Sequence, residues 1–345
     1  MTLSNTEILQ YMSGYLRYEE SDGYLSLSRF TEKQENLLKE EWSPKEKASS
    51  SMFLEFLSDC SEISFDYRIL PGSSQKFYGI DLLIDGMNTV CKFEQTDNTE
   101  NTFTAKIEEQ GKKKITVYFP NLARMEIKNL TVDGTIEKVE RELKYLALGD
   151  SITQGYCTKH PSLTYVNILT EKFNTKTINQ AIGGDRFNKE NLDENMDFQP
   201  DFITVAYGTN DWRTNADLYN NSFEYFKRLK ELYAQVPIFA LLPIYRNTTE
   251  CPVVNGITLE DARGIIRKAA EENGIIVINA KNFIPHHEDF FCDRVLHPSE
   301  TGFIYYGHNL YIMKGLIFKC LYVYIKLNYL ILLDLLLLHT NAMEN

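Results

Sequence analysis

Two patterns of hydrophobic and polar positions divide the 345-residue chain. Before about residue 140, an opening polar stretch is followed by short apolar runs, which turn sequences such as Pro71-Gly-Ser-Ser and Asp85-Gly separate. This pattern is typical of a β-sandwich or jelly roll, so residues 1–140 are expected to form an N-terminal β-sandwich domain. Its strands are predicted at Met52–Leu57, Ile63–Ile69, Lys76–Leu83, Thr89–Glu94, Thr102–Glu108 and Lys114–Phe119.

From about Glu142 onward, apolar strands alternate with helical segments. Because right-handed crossovers lay a helix across the sheet, this alternation predicts a parallel sheet with helices on both faces. Residues 141–315 are therefore expected to form an α/β domain with three αβα layers, similar to flavodoxin. The strands are predicted at Lys144–Leu148, Lys176–Asn179, Phe202–Tyr207, Ile238–Pro243 and Ile275–Ile278, and the helices at Leu163–Phe173, Asp217–Ala234 and Leu259–Asn273.

Residues 316–345 form a long hydrophobic tail beyond this pattern. Lys319, Lys326, Asn328 and Asp334 interrupt it, and a charge near the centre of a bilayer is costly. Three interpretations stay open: a non-native or poorly folded extension, a packed helix or dimer contact (and so a homo-oligomer), and a membrane anchor. The charges make the membrane anchor the least favoured of the three.

The composition of the chain indicates which binding partners and which cellular compartment to expect. A net charge of -12 leaves no basic stripe to neutralise phosphates, so neither nucleic acid nor an anionic membrane is expected as a partner. The N-terminus, Met1-Thr-Leu-Ser-Asn-Thr-Glu, has neither the basic nor the apolar segment of a secretory signal. The six cysteines contain no C-x-x-C pair, which predicts free thiols in a reducing cytoplasm rather than a zinc site or a disulfide framework. They are Cys60, Cys91, Cys157, Cys251, Cys292 and Cys320.

Four sequence blocks follow one another in the second part of the chain. They are Gly149-Asp-Ser151-Ile-Thr, Ile178-Asn-Gln-Ala-Ile-Gly183-Gly184-Asp185, Phe202-Ile-Thr-Val-Ala-Tyr-Gly208-Thr-Asn210-Asp211 and Asp293-Arg-Val-Leu-His297-Pro298. Their order resembles the SGNH (GDSL) hydrolase superfamily, whose blocks carry serine, glycine, asparagine and histidine. The resemblance covers about Lys144 to Tyr311. It implies a serine esterase whose domain finishes with an amphipathic helix near Ser299–Lys314.

A second resemblance concerns the N-terminal part. Gly79-Ile-Asp-Leu-Leu83, followed by Ile115-Thr-Val-Tyr-Phe-Pro120, is similar to the GxDLY β-domain that precedes the hydrolase in one SGNH subfamily. Leu83 stands where that motif has tyrosine. Similar β-domains precede the catalytic unit in some carbohydrate acetyl-esterases, so the resemblance implies a carbohydrate substrate.

The candidate catalytic residues are Ser151, His297 and Asp293. A serine hydroxyl needs a base to take its proton, and histidine titrates in the right range. The imidazole needs an acidic partner to fix its tautomer, and Asp293 is the nearest candidate. The superfamily usually places this aspartate three residues before the histidine, whereas Asp293 lies four before His297. A bulge or a helical turn would restore the geometry, and Asp289 is the alternative acid.

Three candidate donors are expected to form the oxyanion hole. They are the backbone N–H of Ser151, the backbone N–H of Gly184 and the side-chain amide of Asn210. Preorganised donors stabilise the charge that develops during acyl transfer, and glycine lets the backbone approach a ligand closely.

The sequence therefore predicts an esterase for a short acyl ester, with acetyl favoured, on a carbohydrate, acting through an acyl-serine intermediate. No metal or organic cofactor is expected, and His286-His-Glu-Asp289 is interpreted as a solvated loop because its residues are adjacent rather than at i, i+4. A lysophospholipase or acyl-thioesterase of the same superfamily is one alternative. A non-catalytic carbohydrate-binding protein on the same fold is the other.

Overall fold

The structure is a computed structural model that describes residues 1–95, 100–214, 217–247 and 252–313. The predicted tail, 316–345, lies outside the described residues. The strands are β1 Met12–Ser13, β2 Arg17–Ser21, β3 Tyr24–Ser28, β4 Phe53–Ser58, β5 Glu62–Pro71, β6 Phe77–Ile84, β7 Met87–Gln95, β8 Glu100–Lys106, β9 Lys113–Tyr118, β10 Ala123–Val132, β11 Glu137–Lys138, β12 Leu143–Gly149, β13 Thr175–Asn179, β14 Phe202–Ala206, β15 Ile238–Leu241 and β16 Ile276–Ile278. The helices are α1 Asn5–Ile8, α2 Glu32–Trp42, α3 Ser151–Gln154, α4 Tyr165–Phe173, α5 Thr209–Arg213, α6 Leu218–Leu232, α7 Leu259–Glu272 and α8, residues 300–313.

The first eleven strands build two antiparallel sheets. One has the order β1-β4-β9-β6-β7, with β11 paired to β4, and the other has the order β2-β3-β10-β5-β8. In β5, Ile63, Phe65, Tyr67 and Ile69 are buried and alternate with more exposed residues, as expected for a strand with one face on a core. A single apolar cluster takes side chains from both sheets. The predicted N-terminal β-sandwich is therefore confirmed.

The opening stretch differs from the expectation, because it carries β1, β2, β3 and α2 before residue 50. The sequence of β2, Arg17-Tyr-Glu-Glu-Ser21, is polar because this edge strand is largely exposed. An apolar-run pattern therefore misses it. Helix α2 begins at the capping box of Thr31 and Gln34 and buries only Gln34 and Leu38, so its hydrophobic stripe is also short.

The second part of the chain contains a parallel sheet of order β13-β12-β14-β15-β16. Residues Tyr145 to Leu148 of the central strand β12 are all buried, which explains their apolar run without alternation. The α/β fold class predicted from the sequence is confirmed. Among the residues that the structure describes, no helix is both long and apolar enough to span a membrane.

Strands β13, β12 and β14 are neighbours, so their carboxyl ends lie side by side. The loops that follow them contain Gly184, Ser151 and Asn210, respectively. Open α/β sheets bind ligands at this edge of the sheet. The topology therefore brings three of the sequence blocks to one place.

Candidate active site

Ser151 is the first residue of the short helix α3, directly after β12. One carboxyl oxygen of Asp150 caps this helix by accepting the N–H of Ile152 at 3.0 Å, and Gly155 ends it in the left-handed region with φ 91°. This strand-to-helix turn holds the serine at the sheet edge, where Ser151 retains 7% exposure. Its backbone N–H lies in the first turn, where a helix has no internal acceptor for it.

The structure brings Ser151, His297 and Asp293 into one chain of hydrogen bonds. Ser151 Oγ lies 2.9 Å from His297 Nε2, and His297 Nδ1 lies 2.7 Å from Asp293 Oδ2. The second carboxylate oxygen of Asp293 accepts three backbone N–H groups of residues 295–297, at 2.8–3.1 Å. Burial alone would raise the pKa of Asp293, but the hydrogen bonds from the His297 ring and the loop backbone hold it well below its ordinary value. Asp293 therefore stays ionised beside the imidazole.

A tight hairpin loop accommodates the four-residue spacing of the acid and the base. Phe291 and Pro298 form an antiparallel bridge, and the N–H of Cys292 donates to the carbonyl of His297 at 2.8 Å. Between them Arg294 takes the left-handed conformation with φ 62°, which turns the chain without a helix. The alternative acid, Asp289, faces His287 at 3.4 Å.

Gly184 and Asn210 lie on the loops beside Ser151. The N–H of Gly183 is already used by Gln154 Oε1 at 2.7 Å, whereas no hydrogen bond among the described residues uses the N–H of Gly184. One amide hydrogen of Asn210 donates to the carbonyl of Asp185 at 3.0 Å, which leaves its second hydrogen for a ligand. This distribution is what an oxyanion hole built from Ser151, Gly184 and Asn210 requires.

Two residues that sequence reasoning missed, Trp42 and Lys45, come from the N-terminal part of the chain. A Cβ at Gly184 would lie 3.0 Å from the Trp42 ring, and Gly184 has φ 97°, so both space and conformation call for glycine. Lys45 Nζ donates to the carbonyl of Gly183 at 2.5 Å. Trp42 is one of only two tryptophans in the chain, which is the sequence signal that could have drawn attention to it.

Tyr156, which lies beside His297, also receives a contact from the sandwich. The ring of Tyr156 lies 4.5 Å from that of His297, centroid to centroid. Its hydroxyl lies 3.3 Å from Ser74 Oγ, in the turn after β5. The candidate catalytic residues are thus flanked by one aromatic ring on the glycine side and another on the histidine side.

Arg29 joins the sandwich to the loop that leads to Gly184. Its buried guanidinium donates to the carbonyls of Asn179 and Ala181 at 2.5 and 2.7 Å, and to those of Lys45 and Ala48 at 3.0 and 2.9 Å. These bonds fix the loop that leads to Gly184 and the Trp42–Lys45 segment relative to each other. Sequence reasoning missed Arg29, because its partners are all backbone carbonyls.

Three buried carboxyl groups surround the site. Burial raises the pKa of Asp150 to about 7, and the nearby charges of Asp211 and Asp185 add to this shift. Burial likewise raises the pKa of Asp185 to about 7 and that of Asp211 to about 6. One oxygen of Asp211 accepts the N–H of Phe187 at 3.1 Å, while the other has no partner among the described residues. The three carboxyl groups hydrogen-bond within the loops of the site. Because their pKa values are raised by burial, ionising them lowers the free energy of unfolding as pH rises.

We expect Asp150→Asn to flatten the dependence of stability on pH. The folded protein keeps a proton on Asp150 up to about pH 7, whereas the unfolded chain releases it near its ordinary pKa, so the free energy of unfolding falls as pH rises between these values. From pH 5 to 8, Asp150 should account for a loss on the order of 3 kcal/mol. Asparagine is an equally good helix N-cap, so the cap survives the substitution. Urea denaturation at both pH values measures the effect.

The matched control for this substitution is Asp289→Asn, since the Asp289 side chain is 76% exposed. This variant should keep the wild-type difference in stability between pH 5 and 8. An Asp150→Asn variant with the same pH dependence as the wild type would show that Asp150 is not the group responsible.

Cys157 and Cys292 form a disulfide across 135 residues. The prediction that all six cysteines are free thiols is therefore wrong for these two, whereas Cys60 and Cys91 are free. The bond ties the loop that carries Asp293 and His297 to the segment after α3. Since disulfides persist mainly in oxidising environments, these two cysteines no longer support the expectation of a reducing cytoplasm.

The segment His286 to Asp289 makes loop contacts. The His286 ring stacks on Tyr245 at 4.0 Å, and its Nε2 lies 3.1 Å from the carbonyl of Lys281. These contacts agree with the interpretation of the segment as a loop.

Comparison with known proteins supports the resemblance drawn from the four blocks. Residues 147–303 match the model of the GDSL-like lipase/acylhydrolase family. No curated protein sequence matches the chain significantly.

Several solved structures share the fold over nearly the whole chain. The salicylyl-acyltransferase SsfX3 from a tetracycline biosynthetic pathway is 17% identical with a TM-score of 0.77, and the match covers 92% of this chain and 97% of the other. A family two carbohydrate esterase from Cellvibrio japonicus is 15% identical with a TM-score of 0.63, over 93% and 98%. The acetyl xylan esterase Est2A from the rumen bacterium Butyrivibrio proteoclasticus is 14% identical with a TM-score of 0.60, over 91% and 98%.

At sequence identities of 14–17%, the structural neighbours show a shared fold only. The family match shows the type of the hydrolase unit. The match over residues 147–303 and the order of the four blocks identify this part of the chain as a GDSL-like hydrolase unit, that of a serine esterase.

Proposed function

We propose that this esterase removes short acyl groups, acetyl above all, from a carbohydrate through an acyl-serine intermediate. The observation that carries the proposal is the hydrogen-bonded chain from Ser151 Oγ through His297 to Asp293. A nucleophile, a base and an orienting acid within hydrogen-bond reach of one another are the arrangement that activates a serine.

Each residue then has a definite part in the reaction. Ser151 Oγ attacks the ester carbonyl while His297 Nε2 takes the hydroxyl proton, and Asp293 stabilises the imidazolium that forms. The N–H groups of Ser151 and Gly184, with the Asn210 amide, bind the oxyanion. His297 returns the proton to the leaving alcohol. Water, activated by the same imidazole, finally releases the acid from Ser151.

One feature of the site supports a carbohydrate substrate. The half-buried rings of Trp42 and Tyr156 flank the candidate catalytic residues and offer faces on which a sugar ring can pack.

The structural neighbours point to the same substrate class, since a carbohydrate esterase and an acetyl xylan esterase are among them. Their similarity covers the sandwich as well as the hydrolase unit. The architecture in which these two parts occur together is thus one that carbohydrate esterases use.

A chain-length series of p-nitrophenyl esters, run beside acetylated xylo-oligosaccharides, tests the proposal. We expect kcat/KM to be highest for the acetyl ester, to fall steadily with longer acyl groups, and acetate to be released from the oligosaccharides. Highest activity on the octanoyl ester or a longer one would favour the lysophospholipase or thioesterase alternative.

Acyl transfer to an alcohol is a second candidate, which the similarity to a salicylyl-acyltransferase favours. It proceeds through the same acyl-serine intermediate and differs only in whether water or an alcohol accepts the acyl group. Adding a sugar acceptor and measuring acetylated sugar against free acetate separates the two. Mostly acetate at millimolar acceptor supports the esterase, and mostly acetylated sugar supports the transferase.

A further inference from the structure

The motif Gly79-Ile-Asp81 in β6 docks the sandwich onto the loop that precedes α4. A Cβ at Gly79 would lie 1.8 Å from the carbonyl oxygen of Lys159, so only glycine allows this close approach. The fully buried carboxylate of Asp81 accepts the N–H and the hydroxyl of Ser162 at 2.9 and 2.5 Å, and lies 3.1 Å from His160 Nδ1. The hydrolase reaction uses none of these groups.

A free cysteine completes a cluster at this contact. Cys91 in β7 is the direct cross-strand partner of Asp81 in β6, so the two side chains lie on the same face of the sheet. The thiol is free and exposed. One ligand atom each from Asp81, Cys91 and His160 lies within 4.8 Å of the other two.

These three side chains offer an oxygen, a sulfur and a nitrogen, which is a donor set that zinc accepts. The 3.1 Å between Asp81 Oδ1 and His160 Nδ1 fits two zinc bonds of about 2.0–2.2 Å that enclose an angle of roughly 90–100°, and a widening of this separation by about 0.3 Å would make the angle tetrahedral. A rotation of the exposed Cys91 side chain would bring its sulfur to the zinc–sulfur distance of about 2.3 Å. Magnesium and calcium prefer oxygen ligands, so the thiol and the imidazole select against them.

Charge at the same place favours a cation. The carboxylate of Glu300 in α8 accepts the N–H of Lys159 at 3.1 Å, directly beside His160. The carboxylates of Glu300 and Asp81 thus place two negative charges near this contact.

We propose that Asp81, Cys91 and His160 bind one zinc ion, with water in the fourth position, and that the ion fastens the sandwich to the hydrolase. The site is separate from Ser151 and takes no part in ester chemistry. Sequence reasoning found no zinc pattern because the ligands come from residues 81, 91 and 160, which only the fold brings together.

Metal binding to the full-length protein tests this proposal without reference to activity. After treatment with a chelator and its removal, the protein is titrated with Co²⁺ and then with Zn²⁺. We expect one Co²⁺ per chain with a thiolate-to-cobalt charge-transfer band, which Zn²⁺ abolishes by displacement. Zn²⁺ should also raise the melting temperature, because an ion that binds only the folded state stabilises it.

Two variants and one control complete the test. Cys91→Ser should lose the charge-transfer band, and both Cys91→Ser and His160→Gln should bind Zn²⁺ at least about tenfold more weakly. Cys60→Ala removes the other free thiol of the described residues, which is buried elsewhere in the sandwich core, and should behave as the wild type. A missing band in the wild type, or equal Zn²⁺ affinity in the wild type and Cys91→Ser, would refute the site.

Discussion

Ser151→Ala is expected to lower kcat for p-nitrophenyl acetate by roughly 10⁶-fold, the loss found when the serine of such a triad is removed. Ser151 Oγ is the group that faces His297 Nε2, and without it no acyl-enzyme forms. The helix α3 is capped by Asp150 rather than by Ser151, so the melting temperature should stay close to that of the wild type. Steady-state kinetics and a thermal melt measure both effects.

Labelling with a fluorophosphonate probe provides the control for this variant. The wild type should be labelled, Ser151→Ala should not, and Ser64→Ala should be labelled as the wild type is, because Ser64 lies in β5, far along the chain from the hydrolase. A wild type that fails to react would favour the non-catalytic carbohydrate-binding alternative. Full activity in Ser151→Ala would mean that another residue is the nucleophile.

The parts of the fold that local sequence determines were predictable. Strand β12 is buried on both faces, and its uninterrupted apolar run shows this directly. In β5 the alternation of buried and outward residues marks a strand that covers a core. The sequence also predicted part of the candidate site for the same reason, since Ser151, Gly184 and Asn210 lie in loops that follow predicted strands, and parallel strands end at one edge of the sheet.

What the sequence did not reveal depends on contacts between distant residues. The disulfide joins positions 135 residues apart, and nothing in the spacing of six scattered cysteines indicates which two will meet. Arg29 acts on backbone carbonyls of residues about 150 positions away, which leaves no local pattern. Trp42 reaches Gly184 only because the sandwich packs against the hydrolase loops.

The second large effect on activity is expected from Asp293, which orients the ring of His297. We expect Asp293→Asn to lower kcat for p-nitrophenyl acetate by as much as ~10⁴-fold. Asparagine can still accept the loop N–H groups through one oxygen, which keeps the hairpin. Its amide N–H₂ then faces His297 Nδ1 and forces the proton onto Nε2, where it blocks transfer from Ser151. The fold should therefore survive while the imidazole holds the wrong tautomer.

Asp289→Asn is the matched control, because Asp289 faces His287 and lies outside the hydrogen-bonded chain. Its kcat should stay within about twofold of the wild type, since exposed ion pairs contribute little. The reverse ranking would identify Asp289 as the supporting acid. If Asp293→Asn instead stayed within tenfold of the wild type, a group other than Asp293 would have to orient the imidazole, although Asp293 Oδ2 lies only 2.7 Å from its Nδ1. The two variants together therefore test whether Asp293, placed four residues before His297 by the hairpin, is the acid that orients the imidazole.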